Sequence, residues 1–155
     1  MSGHAITPVA WEHPEAQRLR AAMTAEIGAM YSDDPTSQNR DGRLDIDPDS
    51  IVFTALVRDG DEVIGHIALR RLGDDLEIKR MYVIPARRGG TVADELLAEV
   101  EREARALEAP RLILHTGDRQ RAATAFYTRH GYTPIEVYPP YEQLAYSLCF
   151  EKVLR

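Results

Sequence analysis

The chain has 155 residues, 44% of them hydrophobic and 28% charged, with a formal net charge of −6. That size and balance describe one domain, residues 1–155, with a core of its own rather than a disordered or fibrous chain. No apolar run reaches about 18 residues, the N-terminal MSGHAITPVAWEHPE has no basic-then-apolar leader pattern, and the acidity argues against a nucleic-acid partner, whose affinity rests on Lys and Arg at phosphates.

The same acidity favours a cationic or neutral small partner over an anionic one, unless a local basic patch overrides the average. Cys149 is the lone cysteine and cannot form an internal disulfide, so a reducing cytoplasm is the expected setting.

In chain order, His4–Val9 predicts a first strand. His13–Tyr31 carries Leu19, Met23, Ile27 and Met30 at helical spacing. Ser32–Ser50 is rich in Asp, Ser, Pro and Gly and predicts a loop, with room for a short helix. Ile51–Arg58 and Val63–Arg71 predict two strands of a hairpin, joined at Asp59-Gly60-Asp61-Glu62, where Asp-Gly accepts the positive φ of a tight turn. A turn at Gly73–Asp75 leads to a strand over Leu76–Ile84. A helix then runs to about Glu108, with Leu96, Leu97, Val100, Ala104 and Leu107 on one stripe. Arg111–His115 predicts a strand and Gln120–His130 a helix closed by a left-handed Gly131. Tyr132–Val137 and Leu144–Leu154 predict the last two strands. The order is β, α, three antiparallel strands, α, β, α, β, β: a mixed α+β sheet domain, mostly antiparallel and flanked by helices.

Between the Leu76–Ile84 strand and the following helix lies PARRGGTVADELL, residues Pro85–Leu97. It lacks the G-x-G-x-x-G of a dinucleotide fold and the Gly-Lys-Ser/Thr of a P-loop. The free amides of a helix start, the helix dipole, two glycines and two arginines suit an anion. By itself the stretch reads more readily as an ordinary turn into a helix than as a phosphate cradle.

Arg88-Gly89-Gly90-Thr91-Val92-Ala93 resembles the acyl-CoA pyrophosphate loop, Gln/Arg-x-x-Gly-x-Gly/Ala, of the GNAT superfamily of N-acetyltransferases. Thr91 stands where that pattern has its central glycine. EIKRMYVIP before the loop, TGDRQRAATAFYTRHGY with its Phe126-Tyr127 and Gly131-Tyr132, and YPPYEQLAYSLCFEKVL at the tail are similar to GNAT sequences of a bacterial subgroup. The likeness runs from about Ile51 to the C-terminus.

The resemblance implies the GNAT acyl-CoA N-acyltransferase fold and a direct transfer of acetyl from acetyl-CoA to an amine of a small molecule or peptide, in a ternary complex and with no metal. It implies Tyr127 at the CoA sulfur. A phenol near pKa 10 and a thiol near 8.5 make full proton transfer uphill by roughly 2 kcal/mol, so a hydrogen bond to the sulfur suffices. It implies Glu77 as general base, with Asp75 in reserve, and backbone groups of Met81, Tyr82 and Val83 along the acetyl and pantetheine. The loop Arg88–Ala93, Gln120 and Phe126 complete the expected cofactor contacts, and Tyr31, Tyr138 and Tyr141 the acceptor pocket. A homodimer is a further possibility that such a resemblance carries. The alternatives are a CoA-binding regulatory domain without turnover and, against the acidic balance, a toxin acting on aminoacyl-tRNA. Thr91-x-x-Asp94 also fits a helix start in which Thr91 keeps a negative φ and its hydroxyl caps the helix or meets a CoA phosphate.

Overall fold

A computed structural model describes residues 4–37 and 44–155. Residues 38–43, inside the loop expected over Ser32–Ser50, lie outside the described part. The elements are β1 (His4–Pro8), α1 (Pro14–Met30), β2 (Ile51–Asp59), β3 (Glu62–Leu72), β4 (Asp75–Val83), α2 (Val92–Ala106), β5 (Arg111–Gly117), α3 (Arg121–Arg129), β6 (Thr133–Ile135) and β7 (Ser147–Val153). Short 3-10 turns at Pro35–Ser37, Pro48–Ser50, Pro85–Arg87 and Tyr141–Gln143 join them. Among the described residues no helix is long and apolar enough to cross a membrane.

The seven strands form one sheet in the order β1-β2-β3-β4-β5-β7-β6. Every pairing is antiparallel except β4 with β5. Alternation along each strand splits its side chains between two layers. Ala55, Val57 and Ile64 face the core shared with α2 and α3, where Leu96, Leu97, Val100, Phe126 and Tyr127 are buried. Leu56, Val63 and Tyr82 face the other side, against Ala16 and Leu19 of α1. Truncating Leu96 or Leu97, each at most 1% exposed, would cost about 2–5 kcal/mol.

Three expectations from the pattern are corrected. The α1 stripe is buried only at Ala16 and Leu19; Met23 and Ile27 line an open cavity, and Met30 is exposed. Strand β6 is shorter than Tyr132–Val137, because Tyr132 turns into the core and donates its hydroxyl to Glu101; its Pro134 suits an edge strand. The last strand starts at Ser147 rather than Leu144, since Ala145 and Tyr146 form a turn. The left-handed conformation expected at Gly131 is present, with φ +89°.

Candidate active site

Strands β4 and β5 pair only at Leu76–Leu112 and Glu77–Ile113. Beyond those rungs the two parallel strands part, and the sheet has a wedge-shaped split. The β4 side of it is shaped by a bulge. Across β3 the register runs His66–Tyr82 and then Ala68–Lys79, so β4 carries one extra residue, and Arg80 sits there at φ +57°. An arginine in that region costs about 1–2 kcal/mol, and its surroundings must hold it there.

His66 is the clamp. It is fully buried, with Nδ1 2.8 Å from the Arg80 carbonyl and Nε2 3.0 Å from Arg20 Nη1. A carbonyl only accepts and a guanidinium only donates, so the ring is neutral, with its proton on Nδ1. Burial, with the nearby Arg20 and Arg80 charges adding to it, brings its pKa down to about 4.

Past the bulge, the Ile84 amide donates to the Ile64 carbonyl on β3. By strand alternation Tyr82 also faces β3, whereas Met81 and Val83 turn their backbone groups into the split. Of the three residues expected to offer backbone groups, Tyr82 therefore contributes its ring to the α1-side core instead.

On the α2 side of the split, the loop after β4 does what its glycines allow. Gly89 takes φ +88°, with open space where a Cβ would stand. The amides of Gly89 through Asp94 make no hydrogen bond among the described residues; the first helical bond is Glu95 N–H to the Thr91 carbonyl. Arg88 ties the loop down, donating from Nε to the Val83 carbonyl and from Nη2 to Glu26. Arg87 points away, to Asp59 and Glu62. This row of free amides at a helix start is a donor set that fits a pyrophosphate. The first-turn carboxylates that would repel one are engaged, Asp94 by His130 and Glu95 by His4.

Thr91 has the expected negative φ, −101°, but its hydroxyl makes no cap. It donates to Glu95 one turn ahead, 3.2 Å away, and Asp94 is drawn to His130, so the Thr91-x-x-Asp94 box does not form. Val92 is 3% exposed and Ala93 half-buried, so they contribute backbone rather than side chains.

Tyr127 comes to the same place from α3. Its hydroxyl points to Met81 Sδ on β4, 3.7 Å away. Burial raises its pKa well above that of a free phenol, so it is a neutral donor rather than a ready acid. Phe126 packs edge-on to Tyr127 within the core. Gln120 precedes α3 and lines the cavity described next.

On the α1 face, the split opens into a cavity of about 720 Å3. Tyr31 and Tyr141, expected in the acceptor pocket, both line it. Tyr31 is 1% exposed, stacks on Tyr146 at 3.9 Å and accepts the Arg119 amide. It lies so close to the end of β5 that a Cβ on Gly117 would sit 2.0 Å from its hydroxyl. Tyr141 stacks on His115 at 3.9 Å and accepts from Lys79 Nζ at 2.6 Å and Arg70 at 3.2 Å. Tyr138 is not part of this wall. Its hydroxyl turns inward and donates to Glu77 Oε2 at 2.5 Å.

Glu77 is 0% exposed and does not line the cavity. Arg70 occupies its Oε1 at 2.6 Å and Tyr138 its Oε2. With both oxygens engaged, it has no free oxygen aimed at an amine in the cavity, which blocks direct proton abstraction by it. Asp75, the reserve, forms a two-pronged ion pair with Arg111 and is committed to the sheet.

The structure also gathers cavity residues that the sequence did not single out for the site. Lys79, Arg80 and Arg20 line it, as do Trp11 and His115. Burial brings the Lys79 pKa down to about 8, although Glu77 pulls the other way. His115 is held neutral by burial, with a pKa near 3, and its Nε2 donates to Ser147 Oγ. Lys79 and Arg80 fall in the legible EIKR run; Arg20 had only its place one residue beyond Leu19.

Comparisons with known proteins agree with this geometry. Residues 12–132 match the family model for the acetyltransferase (GNAT) family. An IAA acetyltransferase from Azospirillum brasilense is 39% identical over 90 residues, which is 58% of this chain and 59% of that protein. An aminoalkylphosphonate N-acetyltransferase from Salmonella typhimurium is 34% identical over 96 residues, or 56% and 59%. The aligned parts thus span about three-fifths of the length of these curated relatives. A solved structure of a candidate acyl-CoA N-acyltransferase from Klebsiella pneumoniae superposes with a TM-score of 0.81 at 30% identity, covering 98% of both chains.

Proposed function

Since the chain belongs to the acetyltransferase (GNAT) family, we propose that it moves the acetyl group of acetyl-CoA directly to an amine of a small molecule or peptide. The observation that carries this is the parting of β4 from β5 after Glu77 and Ile113. The split has free helix-start amides and Tyr127 on one side and an open cavity on the other. The two substrates would enter from opposite faces and meet in it.

In this reading, the Gly89–Asp94 amides bind the pyrophosphate with Arg88 holding the loop. The inward-facing amides of Met81 and Val83 align the arm and polarise the acetyl carbonyl as its oxygen gains charge. The amine attacks from the α1 side and loses its proton to water in the cavity. Glu77 acts at one remove: it balances Arg70 and steadies the Tyr138 and Lys79–Tyr141 contacts rather than taking the amine's proton by direct contact. Tyr127 donates a hydrogen bond to the leaving sulfur, which its raised pKa favours over full proton transfer. A cytoplasmic setting suits a chain whose lone cysteine, Cys149, is buried and unpaired.

The test is CoA release from acetyl-CoA against a panel of amines, with Tyr127→Phe beside the wild type. Amine-dependent release that falls about 10–100-fold in kcat for the variant, with the KM for acetyl-CoA nearly unchanged, supports the reading. Tight CoA binding with no amine acetylated would instead make this a regulatory CoA-binding domain.

A further inference from the structure

Six arginines of the described chain are buried or half-buried: Arg20, Arg58, Arg70, Arg80, Arg87 and Arg111. Four of them have a carboxylate within ion-pair distance: Arg58 with Glu15, Arg70 with Glu77, Arg87 with Asp59 and Glu62, and Arg111 with Asp75 and Glu151. Arg20 and Arg80 have none among the described residues, and both line the same cavity. Lys79 lines it as well, and its nearest carboxylate oxygen, on Glu77, is 4.0 Å away and already bonded to Arg70.

Leaving cations partly desolvated without counter-charges is costly. The cost here is not incidental, because the protein spends several contacts on holding the cations in place. Arg20 lies flat on Trp11, 3.5 Å from the ring centroid, donates to the Trp11 carbonyl at 2.6 Å and to His66. Arg80 sits on the bulge that His66 clamps and donates to Thr24 on α1. The two guanidiniums feel each other's repulsion. The carboxylates nearby are Asp45, which lines the cavity and has a partner of its own, and Glu12, which Arg20 senses electrostatically. In a chain of net charge −6 this is a local concentration of positive charge.

We propose that the acceptor is an amine that also carries an oxyanion, a carboxylate or a phospho-group, held on the α1 face by Arg20, Lys79 and Arg80 while its amine projects into the β4–β5 split. This rests on the acetyl-transfer reading and departs from the expectation, drawn from net charge, of a cationic or neutral partner. Guanidinium forks match either oxyanion geometrically. The site would select against amines of equal size that lack the anion, because these leave the cations unpaired.

The test uses matched amines, β-alanine, 2-aminoethylphosphonate and propylamine, with two readouts. In acetyl-CoA turnover, kcat/KM for at least one anionic member should exceed that for propylamine by tenfold or more. Arg80→Gln and Arg20→Gln should each bring that ratio several-fold toward one, mainly through KM, whereas Arg20→Lys and Arg80→Lys restore part of it. The comparison between β-alanine and the phosphonate tells a carboxylate from a phospho-group. The second readout needs no turnover: Trp11 is the only tryptophan and stacks on Arg20, so its fluorescence should change saturably with the anionic members and not with propylamine. Arg80→Gln, which leaves Trp11 in place, should weaken that titration. Propylamine turned over as well as both anionic amines, or no saturable Trp11 response to either anion, overturns the proposal. A Trp11 response without acetylation of any amine leaves the anion site standing and defeats the transferase reading instead.

Discussion

The two faces of the β4–β5 split are built from different materials. On the α2 and α3 side the groups are backbone amides, from Gly89 to Asp94 and at Met81 and Val83, with one phenol, Tyr127. On the α1 side they are charged and aromatic side chains, Arg20, Lys79, Arg80 and Tyr141, around an open cavity. Amides are fixed by the course of the chain, so the first face can serve a co-substrate common to many chains of this fold. Side chains change with single substitutions, so the second face is where one chain differs from another. Damage should follow the same division. Changes on the α1 side should alter stability and amine selection, and changes on the α2 side should alter the handling of acetyl-CoA.

The largest expected effect is at Glu77, behind the α1-side wall. Glu77→Ala would strand Arg70 without its partner and should cost about 3–5 kcal/mol, measured as a shift in urea unfolding. A loss below about 1 kcal/mol would mean the buried pair is not what organises that wall. Acid should act on the same side. His66 and His115 have folded-state pKa values near 4 and near 3, below the unfolded value near 6.5. The unfolded chain therefore binds more protons between pH 3 and 6.5, so stability should fall as pH drops below about 6.5. Each ring contributes about 3–5 kcal/mol when the drop is complete, and His115→Gln should make the acid limb of the unfolding curve shallower. A limb of unchanged steepness would mean that the ring is not held neutral.

On the other face the effects should be smaller and confined to the co-substrate. Gly89→Ala forces a side chain to φ +88°, about 1–2 kcal/mol of strain, and should raise the KM for acetyl-CoA about tenfold with little effect on amine selectivity. Thr91→Gly should matter least, within about threefold in CoA affinity, because the hydroxyl caps nothing and already has Glu95 as partner. A severalfold gain from Thr91→Gly would mark the threonine as an obstruction.

The same division explains what the sequence disclosed. Element order, the hairpin, the glycine loop and the left-handed Gly131 were legible because each depends on neighbours a few residues away. Tyr127 was legible through its order relative to the loop. Arg20 was not, since an arginine next to Leu19 on an amphipathic helix reads as solvated surface until α1 is laid over the split. Arg80 was not, because nothing local announces a bulge; its clamp, His66, lies 14 residues away in sequence. Glu77 was found, but its enclosure was not: pairing with Arg70 across the hairpin and with Tyr138 some 60 residues on decides whether a carboxylate is available or sealed. The Thr91 box failed for a related reason, as His130 from α3 takes Asp94.

The contact between Tyr31 and Gly117 makes redesign of the cavity a one-way operation. Cutting Tyr31 down to a smaller residue would enlarge the space beside the end of β5 without touching the glycine. The converse is opposed, because any side chain placed at 117 collides with the Tyr31 ring and hydroxyl unless Tyr31 itself is displaced. At this point in the molecule, variants with a roomier pocket are one substitution away, whereas tighter ones need two coordinated changes.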